Sequence, residues 1–285
     1  MALAALSGDE QRIVFTQLCN VLDPRPAVAL SSANNELRTA TQEGRQQLRA
    51  DHEAAAALCL KVGLRGCKEL REAKMVWSLN KGLTADELAL LGTLGSVLPA
   101  LEMLDLCEPA AGPDGVQRLV EGLGASALPT VTRLQLVSCM HVGDAGASEL
   151  AAALGRGALP RLKDLTLNNA AIGDAGLVAL APAVRRLPAL EDLNLSYNPF
   201  GDKGLAALVA LPLPAGALPP PAGALKKLKR LNLNYTEVTD AGCAALVAAL
   251  NSDALPALEE LKLVRIPASV AAKAALGRAG LNVEV

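Results

Sequence analysis

Aromatic side chains are nearly missing from this chain: one tryptophan, two tyrosines and two phenylalanines among 285 residues. A core without large rings must be filled by Leu, Ala and Val, which favours a stack of thin, similar layers over one irregular globule. Histidine is as scarce, with only His52 and His141, and neither stands in a pattern that would make a nucleophile–base pair. The six cysteines, Cys19, Cys59, Cys67, Cys107, Cys139 and Cys243, contain no C-x-x-C pair. That argues against a structural zinc site and against a disulfide framework. No run of about 18 apolar residues occurs, so no membrane span is expected. The opening MALAALSGDE lacks a basic stretch and soon meets Asp9 and Glu10, so no signal peptide is expected either. A formal charge of −2 gives no general attraction for nucleic acid. These absences point to a reducing compartment, cytoplasmic or nuclear, and to a chain without metal or cofactor.

What the chain has in plenty is leucine at fixed spacing. Segments beginning at Leu101, Val131, Leu162, Leu190, Leu228 and Leu258 share an L-x-x-L-x-L core, as in LEDLNLSYNPFGDKGLAAL. A weaker forerunner, LREAKMVWSLNKGLTADEL, starts at Leu70, making about seven copies. Alternating leucines such as Leu193 and Leu195 mark a short strand with one buried face. Position nine is Asn198 in the best copy and Cys139 in another, a side chain that in the repeat class these segments resemble turns inward towards the loop backbone. Asp144, Asp174, Asp202 and Asp240 then stand where helix N-caps belong. Gly146, Gly176, Gly204 and Gly242 follow inside the first helical turn, where glycine is costly unless a neighbouring layer packs close. Pairs such as Leu177 with Leu180 continue a helical stripe. One strand and one helix per unit, stacked in parallel, must curve with the strands inside, because helices are wider than the strand spacing.

The repeats resemble the ribonuclease-inhibitor-like class of leucine-rich repeats over about residues 65 to 285. The resemblance implies an α/β fold: a right-handed leucine-rich-repeat solenoid, or horseshoe, with parallel strands on the concave face and helices outside. The repeat domain is set at 61–285, with a Pro/Ala-rich loop insertion at 211–224 that includes Pro219, Pro220 and Pro221. Gly280 and LNVEV read as a helix stop and a closing strand.

Residues 1–60 do not repeat and read as a helical module, with helices at about 8–22 and 27–60 broken at Pro24 and Pro26. LDPRPAVALSSANNELR resembles the second half of an F-box, which docks on the adaptor of cullin–RING ubiquitin ligases. The resemblance implies adaptor contacts at Leu22, Pro24, Leu30 and Leu37, although the Leu-Pro opening of that motif is absent. The other reading is a cap over the hydrophobic end of the solenoid. Both stay open from the sequence.

Residues alternating with the buried leucines are expected on the concave face. They are Met103 and Asp105, with Cys107; Arg133 and Gln135, with Val137; and Asp164, Thr166 and Asn168. Further along they are Asp192, Asn194 and Ser196, then Arg230, Asn232 and Asn234, then Glu260, Lys262 and Val264. The same spacing places Glu72, Lys74 and Val76 there from the forerunner. Seven strands with three positions each match the roughly 20–30 residues a side of a standard protein interface. Glycine-bearing GTLGSVL and GLGASAL lack the pattern of a phosphate loop and read as turns after helices. The expected function is therefore a non-enzymatic scaffold, monomeric, holding a protein partner on the concave face, with no nucleic acid and no membrane. The F-box resemblance would make it a substrate receptor of a ubiquitin ligase. Ran-type GTPase-activating proteins carry similar repeats, which leaves an activator, or an inhibitor or sensor of the leucine-rich-repeat kind, as the alternative.

Overall fold

The computed structural model describes residues 7–107, 114–137, 142–209, 225–252, 254–277 and 280–285. The insertion at 211–224, Cys139 and His141 lie outside the described residues. The chain divides into two compact units, Met1–Ala73 with Val97–Ala100, and Lys74–Ser96 with Leu101–Val285.

The first unit carries helices α1 (Gly8–Leu18), α2 (Arg25–Ser31), α3 (Asn35–Ala40), α4 (Gln42–Lys61) and α5 (Cys67–Glu72). Ser7 and Glu10 close a reciprocal capping box on α1, satisfying two backbone donors that a helix start leaves open. Asn34 does the same for α3 with one bond to the Leu37 N–H. Phe15, Ala27 and Leu48 form the core here, with Cys19, Val21 and Leu30 packed against it. The stretch 27–60 is three helices. Asn34 accepting at Leu37 starts one new helix, and a second begins just past Thr41. The turns at Ser32 and Thr41 break the run without any proline.

The second unit is an open sheet of eight parallel strands in chain order, with helices returning between them. The strands are β1 (Met75–Leu79), β2 (Met103–Cys107), β3 (Arg133–Leu136), β4 (Asp164–Thr166), β5 (Asp192–Asn194), β6 (Arg230–Asn232), β7 (Glu260–Lys262) and β8 (Asn282–Glu284). The helices are α6 (Ala85–Leu94), α7 (Gly115–Glu121), α8 (Gly143–Gly155), α9 (Asp174–Val184), α10 (Asp202–Val209), α11 (Asp240–Asn251) and α12 (Val270–Ala274). Each helix packs on the next. This is an α/β leucine-rich-repeat solenoid. Leu104, Leu134, Leu165, Leu193, Leu231 and Leu261 stand in register across the strands and are essentially sealed from solvent. Burying each contributes about 1.5–3 kcal/mol, and the column repeats in every layer. Gly280 is left-handed (φ 85°) and β8 closes the sheet, as its sequence implied.

Two further features hold neighbouring layers together. Asn198, 2% exposed, accepts at Oδ1 from the backbone of Ala170 and Ile172 at 3.1 and 3.0 Å. Its amide donates to the carbonyls of Leu167 and Leu195. The inward turn expected for position nine is there, and it serves the preceding repeat, whose own position nine is the apolar Ala170. The second feature corrects the sequence reading. The aspartates do not cap their own helices. Asp144 Oδ1 accepts from Gly173 and Gly176 N–H at 2.8 and 2.9 Å, and Asp174 Oδ1 from Gly201 and Gly204 at 2.9 and 2.7 Å. Asp202 takes Thr239 and Gly242, and Asp240 takes Ser269. Each carboxylate opens one helix and caps the next repeat's helix, whose N-cap in α9 is Gly173, a residue with no side chain to do so. A Cβ on Gly176 or Gly242 would lie 2.5 Å from the capping oxygen, which is why glycine recurs there.

Of the glycines of GTLGSVL and GLGASAL, Gly95 and Gly122 end their helices as expected, and Gly92 differs. Gly92 lies inside α6, where a Cβ would sit 2.1 Å from the Leu119 carbonyl oxygen of α7. Gly122 makes the reciprocal approach to Ala89 and Thr93. The two helices meet backbone to backbone.

Candidate functional site

Pleating sends alternate strand residues to the side away from the helices. Two rows result. The first runs Met75, Met103, Arg133, Asp164, Asp192, Arg230, Glu260, and the second Trp77, Asp105, Gln135, Thr166, Asn194, Asn232, Lys262. Asn168, Ser196 and Asn234 extend the face just past the strand ends. All the expected face residues from Met103 to Asn234 therefore fall together on one surface of the sheet.

The forerunner repeat is the exception. Leu70 belongs to α5 rather than to a strand, and Val76 pairs with Leu104 as the buried residue. The face positions of β1 are Met75, Trp77 and Leu79, at 48%, 54% and 45% exposure, in place of the expected Glu72, Lys74 and Val76. A buried Ser78 stands where other repeats carry leucine, and that substitution hid the true register. Trp77 is the central residue of β1.

Electrostatically the face is mostly self-paired. Arg133 Nε donates to Asp164 Oδ2 at 2.9 Å, Arg230 forks onto Asp192, and Lys262 bridges Glu260 and Glu284 at 3.1 Å each. The Asp192 carboxylate drives the Arg230 guanidinium further towards its charged form. Polar side chains in the middle bond one another: Asn168 donates to Ser196 Oγ at 2.7 Å, and Ser196 Oγ to Asn194 Oδ1 at 2.7 Å. Asn234 Oδ1 accepts from Val264 N–H at 2.7 Å. Thr166 and Ser196 are buried within this network. A shallow hollow of about 320 Å³ lies over Asp164, Thr166, Asp192, Asn194, Arg230 and Asn232. Asp105 differs from the rest. Its Oδ1 is buried with no hydrogen-bond partner. Burial pushes its carboxyl above the usual carboxylate range, with Asp164 adding to the shift and Arg133 opposing it.

At the edge beyond the strand ends, Tyr197 and Tyr235 stack with centroids 4.2 Å apart and rings 11° from parallel. Both are nearly half exposed and both hold φ near +55°, as do Asn169 and Arg265 at the equivalent positions. Asparagine tolerates that conformation, whereas tyrosine and arginine bear its strain. The periodic strand-to-loop turn imposes it. The neighbouring Tyr235 pushes the Tyr197 phenol up.

The four residues named for adaptor docking lie in the first unit. Leu22 and Leu37 are 5% and 1% exposed, Leu30 packs against the Phe15 core, and Pro24 is half-buried. Among the described residues no group of three or more His, Cys, Asp or Glu is placed to hold a metal ion. No described helix is long and apolar enough to cross a membrane.

Residues 127–151, 160–181, 187–209 and 224–247 match the Leucine Rich repeat family. These stretches are leucine-rich repeats. No curated protein matches the chain. Among solved structures, an internalin (inlF) from Listeria monocytogenes is similar over 73% of this chain and 66% of its own, at 15% identity and a TM-score of 0.29. The chain thus spans just under two thirds of that internalin. A chain of the Rad7 and Elc1 complex in yeast is similar over 97% of this chain and 81% of its own, at 14% identity and a TM-score of 0.26.

Proposed function

We propose that this chain is a non-enzymatic scaffold whose exposed sheet face, from β1 to β7, holds a protein partner. The observation that carries the reading is the face itself: two continuous rows of side chains across parallel strands, in strict register, extended by polar residues just past the strand ends. A sheet stiffened by buried leucine columns presents such rows with little ordering cost on binding. The face offers roughly the number of side chains that a standard interface uses. Its ion pairs and amide network fix side-chain positions before a partner arrives.

A photo-crosslinking amino acid placed at Asn194 or Asn232, compared with one at the helix residue Val178, tests this in extracts of the cells that make the chain. Defined adducts from the two face positions and none from Val178 are expected. Equal yields from all three would refute the face as the binding surface.

The ligase-receptor reading needs Leu22, Leu30 and Leu37 to meet an adaptor. Their burial favours the other role for the first unit, a cap for a repeat array. The two separate cleanly: a full chain that binds a recombinant cullin-ligase adaptor restores the receptor reading. Acceleration of GTP hydrolysis on a Ran-type GTPase would instead bring back the activator. A monomer in the cytoplasm or nucleus is consistent with the cysteines, of which Cys59, Cys67 and Cys243 are buried free thiols.

A further inference from the structure

The sheet face is uneven. From β3 to β8 every cation is matched by an acid, as described above. At the β1–β2 end the charges do not balance. Asp105 has Trp77 directly opposite on β1 and Met75 and Leu79 on the diagonals, with Met103 beside it on β2. Neighbouring strands lie about 4.8 Å apart, so these side chains flank the carboxylate on its β1 side, with Gln135 opposite it on β3. Three of them are large, apolar and about half exposed, on a sheet whose inner leucines are sealed. Arg133, the nearest cation in register, directs its Nε to Asp164 instead. What remains is an apolar surface on β1, edged by a carboxylate with one unpaired oxygen.

That combination has a complementary ligand. A long alkyl chain ending in a cation covers apolar surface with its stem and delivers donors with its head. Tryptophan adds attraction for the same charge. An acidic group would be repelled by the carboxylate, and a purely aliphatic one would leave its charge unmatched, which is costly in a partly desolvated site.

Resting on the reading that this face binds a protein, we propose that its β1–β2 end is a subsite for a lysine side chain of the partner. The lysine stem lies over Met75, Leu79 and Met103, and its ammonium pairs with Asp105 beside Trp77.

Trp77 is the chain's single tryptophan, so its fluorescence reports this site alone. The full chain would be titrated with the capped pentapeptide Gly-Leu-Lys-Leu-Gly and with its norleucine and glutamate counterparts. The lysine peptide is expected to bind about tenfold tighter than the norleucine one, the scale of a charge-assisted bond in a half-buried site. In Asp105→Asn that preference should shrink to within about twofold, with the variant at least as stable to urea as the parent. Leu79→Ser, at an exposed position, should weaken lysine and norleucine peptides alike by about threefold. No lysine preference in the parent, or one that survives in Asp105→Asn, overturns the proposal. Loss of the lysine preference alongside crosslinks from Asn194 and Asn232 would remove this subsite and leave the binding face standing. A lysine preference without those crosslinks would do the reverse.

Discussion

The carboxylate that caps the next repeat's helix and the glycine beneath it should be coupled, and a double-mutant cycle on Asp174 and Gly204 measures the coupling. Asp174→Ala removes bonds of 2.9 and 2.7 Å to Gly201 and Gly204 N–H. Gly201 can turn to water, whereas Gly204 is buried and its N–H is left without its capping carboxylate. The loss is about 2 kcal/mol, and for a unit of this size about 4–8 °C in Tm. Gly204→Ala alone gains about 1 kcal/mol of helix propensity. Its Cβ, however, would stand 2.9 Å from Asp174 Oδ1 and 3.2 Å from Leu177 Cβ, an overpacking cost of about 1–3 kcal/mol. The single variant is therefore destabilised by about 1 kcal/mol. With Asp174 already alanine, the oxygen is gone and only the milder Leu177 contact resists, so Gly204→Ala should be neutral or stabilising by up to about 1 kcal/mol. Urea unfolding followed by far-UV circular dichroism gives all four corners. If Gly204→Ala costs the same in both backgrounds, the capping carboxylate is not what excludes a side chain, and the explanation of the recurring glycine is wrong.

Other consequences are open to simple measurement. Gly92→Ala drives a Cβ to 2.1 Å from the Leu119 carbonyl and should cost about 3 kcal/mol, read as a lower urea midpoint; a neutral result would deny the backbone contact of α6 with α7. Burial raises the Asp202 carboxyl, but the bonds from Thr239 and Gly242 outweigh it and the net shift is downward. A carboxyl held low when folded binds its proton more readily when unfolded, so its stabilisation is complete above the ordinary carboxylate range and fades as pH falls through about 4. Asp202→Asn should flatten that acid limb of a stability–pH profile, and an unchanged limb would contradict the assignment. Cys59, buried beside Cys67, has its thiol pushed up to about 12, first by burial and then by the neighbouring Cys67. At pH 8 Cys59, Cys67 and Cys243 should stay unlabelled by a thiol reagent until denaturant is added, with mass spectrometry of the peptides as the check.

The fold was legible because it depends on what repeats. Leucine columns, Asn198 and the glycine positions all follow from a period that side-chain chemistry alone betrays, and each was found where the spacing put it. What escaped was whatever a repeat supplies to its neighbour. Asp174 looks like a cap to any local reading of DAGL, since N-caps are local by habit. Only the stacked layers reveal that its oxygen faces the next helix. Gly92 and Gly122 likewise carry no local sign that two helix backbones meet there. The β1 register failed for a different reason. Leu70 and Ala73 imitate the start of the repeat, while the true strand replaces a leucine with Ser78.

That slip had consequences for the candidate site. With the wrong register, the first strand contributed Glu72, Lys74 and Val76 to the face. The structure replaces those charges with Met75, Trp77 and Leu79, and leaves Asp105 beside them with a buried, unpaired oxygen. A carboxylate kept in that state works against stability, because neutral asparagine of the same shape would cost less to bury. The rest of the face follows the opposite rule, with Arg133, Arg230 and Lys262 each tied to an acid in the neighbouring layer. Internal pairing makes the middle a rigid floor with few donors or acceptors left to offer. Uncompensated chemistry is concentrated where the array begins, and a partner gains most by binding there.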